Sequence, residues 1–167
     1  MSMTLVQTVT VGAGGAALIE FTGIPQDGTD LLLTISLRND VSNTGSFVIT
    51  FNNNSSNLSA RTLFGNGSSA SSINRTDLLV LGGTNDPSET ANTFSSQSVY
   101  IPNYAGSTAK SVSIDSVKEN NATTAVQAII AGLWNNTAAI TSIQIANFSV
   151  ANFVVGSTAS LYKITKA

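Results

Sequence analysis

The chain reads as an all-β protein, an antiparallel β-sandwich of jelly-roll type with about nine to eleven short strands in a single domain over residues 1–167. Three observations predict this. Apolar and polar residues alternate with period two in one segment after another. Turn-forming clusters of Gly, Asn, Asp and Pro separate those segments at intervals of about ten to fifteen residues. Ser, Thr and Asn supply 60 of the 167 residues, a composition in which Thr suits strands while Asn and Ser suit turns.

Taken in order, residues 4–11 alternate loosely, with Leu5, Val9 and Val11 on one parity, and form a first strand. Gly12-Ala13-Gly14-Gly15 is a turn and 16–22 a second strand. A loop with Pro25 and Asp27-Gly28 leads into 30–38, where Leu31, Leu33, Ile35 and Leu37 point inward and Thr34, Ser36 and Arg38 outward. A one-residue slip there would bury Arg38, so the register is well specified. After turn material from Asn39-Asp40 through Asn43-Thr44-Gly45, Phe47, Ile49 and Phe51 give a strand with an aromatic core face. The loop tip 52–57 is followed by a strand over 58–64, an irregular stretch over 65–76, a short apolar run at 77–81 and a loop at 82–90. Residues 93–101 form a strand stopped by Pro102.

Everything then converges on residues 111–146, a three-strand meander. Val112, Ile114 and Ser116 alternate with Ser111, Ser113 and Asp115, and Glu119-Asn120-Asn121 turns the chain. Residues 125–133 (AVQAIIAGL) are the most continuously apolar run, the pattern of a strand covered on both faces. The Ala content of 122–132 also suits a helix, but Thr123, Thr124, Val126, Ile129 and Ile130 are β-branched and favour a strand. After Trp134-Asn135-Asn136-Thr137, residues 140–145 resume the sheet. Residues 148–155 read as a further strand, and 159–164 closes the chain.

Charged residues make up 10% of the chain and the net charge is -2. The seven Lys and Arg are scattered, which argues against a phosphate-binding surface and hence against nucleic acid as a partner. With no Cys and no His, the chain lacks thiolate ligands, the commonest general base and the commonest transition-metal ligand. No apolar run is long enough for a membrane-spanning helix, and the start, MSMTLVQTVTV, lacks the basic region of a secretory signal. A surface of neutral hydroxyls and amides makes hydrogen bonds that depend little on salt.

Individual motifs resolve into ordinary turn and core chemistry. Gly12 to Ala17 and Gly65 to Ala70 both match the dinucleotide glycine fingerprint, but neither opens a helix, so both read as turns. Asn85, Asp86 and Glu89 offer oxygens that suit Ca²⁺, yet turn capping explains them better, and no metal or cofactor is expected. Catalysis would need a Lys or carboxylate base, or a carboxylate pair at a set spacing. The acids mostly flank turns, and the chain is read as no enzyme. Trp134, Tyr100, Tyr104 and Tyr162 suit stacking on sugar rings or packing at the rim of a core.

Four stretches occur together in a familiar order: Arg61-Thr62-Leu63-Phe64-Gly65-Asn66-Gly67, Ala91-Asn92-Thr93-Phe94-Ser95-Ser96, Tyr100-Ile101-Pro102-Asn103-Tyr104 and the meander 111–145. This order resembles a group of small virion structural proteins of tailed phages, especially phages of marine bacteria and cyanobacteria. The likeness is densest over 91–145 and carries over no catalytic residues. It implies localisation in the virion and a capsid decoration, or cement, protein that binds the outer shell. The partners would be the major capsid protein or other virion proteins and further copies of the chain, with a trimer favoured. The loop residues Tyr104, Trp134 and Asn135 are expected at a contact. The alternative is a tail-fibre or receptor-binding head domain that recognises a host-surface glycan.

Overall fold

The computed structural model describes residues 1–42, 47–120, 123–148 and 151–166. The expected turn at Asn43-Thr44-Gly45, Asn121 of the 119–121 turn and the middle of the expected 148–155 strand lie outside these residues. Among the described residues there are eleven strands and no helix, so the antiparallel β-sandwich holds. The strands are β1 (Ser2–Thr10), β2 (Leu18–Phe21), β3 (Asp30–Ser36), β4 (Phe47–Phe51), β5 (Leu58–Gly65), β6 (Ala70–Arg75), β7 (Ser96–Pro102), β8 (Lys110–Asn120), β9 (Thr124–Trp134), β10 (Ile143–Asn147) and β11 (Thr158–Thr165). They form an eight-stranded sheet, β1-β11-β3-β7-β8-β9-β5-β6, and a three-stranded sheet, β2-β10-β4. Every pairing is antiparallel.

Alternation decides which face of each strand meets the core. Leu31, Leu33 and Ile35 of β3, Val99 and Ile101 of β7, Val112 and Ile114 of β8, and Ala128 and Ile130 of β9 are all buried. They pack against Ile19 and Phe21 of β2, the aromatic face of β4 (Phe47, Ile49, Phe51), and Ile143 and Ile145 of β10 in one apolar cluster. Phe47 stacks on Phe153 with ring centroids 4.6 Å apart. The apolar run 77–81 forms no ladder strand. Instead Leu79, Val80 and Leu81 are buried beside β4, with Ile49 N–H donating to Leu79 O at 3.0 Å and Leu81 N–H donating to Phe47 O at 2.8 Å.

Four readings are corrected. The stretch 65–76 is not irregular, since Ala70–Arg75 pairs with β5 as an exposed edge strand. Leu5 does not share a face with Val9. A register shift between Leu5 and Gln7 turns Leu5 outward, opposite Tyr162, and leaves Val9 inward, opposite Ala159, as a β-bulge does. Residues 151–155 contribute an isolated bridge at Phe153 in place of a strand. Finally, β9 is central in its sheet, between β8 and β5, but covered on one face only. Gln127, Ile129, Ala131 and Leu133 all point outward and are exposed.

The crossovers sort the loops into two ends. One end gathers residues 22–29, 52–57, 103–109 and 135–142; the other gathers 11–17, 37–42, 82–95 and 151–157.

Candidate interaction surfaces

The three residues expected at a contact all map to the first loop end, and they divide. Tyr104 and Trp134 are 0% and 1% exposed, so their side chains belong to the core and a partner cannot reach them. Asn135 stands on the surface. The buried pair holds the end in shape. The Tyr104 hydroxyl donates to Pro25 O and accepts from Gly28 N–H at 3.3 Å, and its carbonyl accepts Ile140 N–H at 2.9 Å. Burial is the main cause that raises its phenol above the ordinary value. Trp134 packs its ring 5.4 Å from that of Phe51.

Two residues passed over in the sequence do as much. Asn52 Nδ2 donates to Ala139 O at 2.8 Å, while its Oδ1 accepts Thr141 N–H at 2.8 Å and Ser142 N–H at 3.1 Å. Its φ of 54° is left-handed, a conformation Asn tolerates better than most residues. The signal was the asparagine run directly after a strand. Lys110 is fully buried; its Nζ donates to Gly106 O at 2.7 Å and Thr108 O at 2.5 Å, and burial pushes the ammonium below its ordinary pKa. Its signal was parity, since Lys110 lies two residues before Val112 and so on the inward face. Nearby, Asp30 accepts from Tyr100 Oη at 2.5 Å, Asn103 N–H at 3.0 Å and Lys166 Nζ at 2.5 Å. The loops of this end are therefore pinned from beneath, and the groups uppermost are mostly uncharged, with the exposed Asp27 paired to Lys163 at 2.6 Å.

The other end is a polar clamp on the 82–95 loop. Arg38 Nη1 donates to Thr90 O at 2.9 Å and Thr93 O at 3.0 Å. Glu119 Oε1 accepts from Thr93 Oγ1 at 2.8 Å and Thr90 N–H at 3.1 Å. Lys118 pairs with Glu89 at 2.7 Å, and the second oxygen of Glu89 accepts Asp86 N–H at 2.6 Å. Asp86 in turn caps Ser88 N–H at 2.8 Å. Asp86 and Glu89 thus spend side-chain oxygens on loop geometry and Asn85 donates its Nδ2 to Thr93 Oγ1 at 2.8 Å, and among the described residues no group of three or more His, Cys, Asp or Glu is placed to hold a metal ion. Both glycine fingerprints are turns: Gly15 N–H bonds back to Gly12 O at 3.2 Å, and Asn66 Oδ1 accepts Ser69 N–H at 2.8 Å between β5 and β6.

The third surface is the outward face of the large sheet. Its register lines up one residue from every strand in a single row, Ser72-Leu63-Ile129-Asp115-Ser98-Thr34-Ser160-Thr8. From Asp115 onward the row is hydroxyl-rich and floors an open trough of about 420 Å³ lined by Thr34, Ser36, Ser98, Asp115, Thr158 and Ser160. The other half is apolar, with Leu63 63% and Ile129 53% exposed as direct cross-strand neighbours.

No family model, curated protein or solved structure matches this chain.

Proposed function

We propose that the chain is a structural protein of a tailed-phage virion, a capsid decoration protein that binds the outer shell and ties neighbouring capsid subunits together. The observation that carries this reading is the loop end around Asn135: mostly uncharged side chains on top, with Asp27 tied to Lys163 as the exposed charge among its loops, and a fixed backbone beneath. Such an end loses little conformational freedom on docking, which leaves more of the contact energy as affinity. Its hydrogen bonds need no counter-ions, so the contact tolerates changes of ionic strength. The phage-protein likeness of residues 91–145 supplies the kind of partner.

A second reading, a fibre or receptor-binding head domain for a host glycan, is favoured by the trough. Its hydroxyls and the exposed Asp115 carboxylate suit a neutral sugar, whose hydroxyls both donate and accept.

A cryo-EM reconstruction of intact particles carrying this chain tests both. The decoration reading expects its density repeated over the capsid facets. Density confined to the tail favours the glycan reading, and absence from the particle overturns both.

A further inference from the structure

The segment AVQAIIAGL has the composition of a strand buried on both sides, yet the fold covers one side of it. What remains outward is an apolar patch built by three adjacent strands. It comprises Leu63 of β5, Ile129 and Leu133 of β9, and Val117 of β8, which are 63%, 53%, 40% and 37% exposed. A shallow groove of about 260 Å³ continues it, lined by Leu63 and Ile129 together with Phe64, Gly65, Ala70 and Gln127.

Two opposite charges flank this patch. Arg61 lies opposite Ala131 and Ser113 in one row, while Asp115 lies opposite Ile129 and Leu63 in the next. Both are exposed. Strand spacing of ~4.8 Å and a same-face step of ~7 Å put them about 12 Å apart, with the midpoint over β9 between Ile129 and Ala131. A twofold axis lying in the contact plane through that midpoint exchanges the two positions. It sets Arg61 of each copy against Asp115 of the other and brings Leu63 and Ile129 together at the centre. A surface with one charge of each sign about an apolar middle is complementary to itself, as an isologous contact requires. The four strands β6-β5-β9-β8 present roughly 600 Å² of this face, so two copies bury roughly 1,200 Å², the lower bound of a stable specific interface.

We propose that the outward face of β5, β9 and β8 is a twofold interface that holds two copies of this chain face to face. The assignment does not rest on the virion reading and can be tested on the purified full-length chain. Sedimentation equilibrium over a wide concentration range is expected to show a dimer. Ile129→Lys, whose side chain takes no part in the core, is expected to give a monomer with an unchanged circular dichroism spectrum and melting temperature. Arg61→Asp alone and Asp115→Arg alone each weaken association by about tenfold or more, and combining them restores it. Four results overturn the proposal: a monomer at every concentration, a trimer, a dimer indifferent to Ile129→Lys, or a double charge reversal that fails to restore association.

Discussion

Trp134 closes β9 with its indole inside the core against Phe51, and its Nε1–H has no hydrogen-bond partner among the described residues. Trp134→Ala should cost about 3–5 kcal/mol in chemical denaturation. Trp134→Phe should cost well under half of that, because the smaller ring discards a buried unpaired donor along with some contact area. Asp30 gives a pH-dependent case. Burial alone would raise its pKa, but hydrogen bonds from Lys166, Tyr100 and Asn103 outweigh burial and hold the carboxyl below its ordinary value of 3.8. A depressed carboxylate stabilises the fold above its unfolded pKa and loses that contribution as pH falls through the folded one. Asp30→Asn should therefore lower stability by about 1–3 kcal/mol at neutral pH, and the gap from the parent should close as the pH falls below 4. Urea midpoints across that range check the direction. The aromatics also show where residue-level reading stops. An aromatic residue at a strand end or in a loop looks alike in sequence whether its ring turns in or out. For Tyr104 and Trp134 the decision was made by neighbours distant in the chain: Pro25 and Gly28 for one, Phe51 for the other.

At the scale of elements, period two was legible wherever one face of a strand is buried and the other wet, as in β3, β4 and β8. It failed for β6, whose six residues are all exposed and so carry no alternation to read. In β1 a bulge changed the parity partway along, which composition does not announce. The apolar content of β9 was legible, but the sequence does not say whether the second cover comes from the same chain. Gly132 has a reason within that strand. A Cβ there would stand 2.3 Å from Leu79 Cδ1 and 3.2 Å from Val112 Cβ, where the buried Leu79 packs onto the sheet. Gly132→Val should lower stability by about 1–3 kcal/mol through overpacking. Ala131→Val, one residue along on the outward face, should stay within about 0.5 kcal/mol. A shift in urea midpoint at constant m separates the two.

For the whole molecule, the pattern is a large sheet and a small one closing a core, with one loop end tied by Asn52, Lys110 and Tyr104 and the other by Arg38, Lys118 and Glu119. Charge is used sparingly: Asp30, Asp86, Glu89 and Lys110 are buried, while Arg61, Asp115 and a few others stand on a surface otherwise dominated by hydroxyls, amides and the apolar patch on β5, β9 and β8. The scarcity of charge and the wealth of hydroxyls and amides were legible from composition, whereas which charges are buried and the split of eight strands and three were not, because both depend on which strands cross between sheets. The measurement that bears most directly on the account is binding of the purified chain to phage particles depleted of it, titrated at low salt and again near 1 M NaCl. A neutral, hydrogen-bonding contact predicts saturable binding whose affinity changes by less than about threefold between the two conditions. Failure to bind, or an affinity that collapses as salt rises, would contradict it.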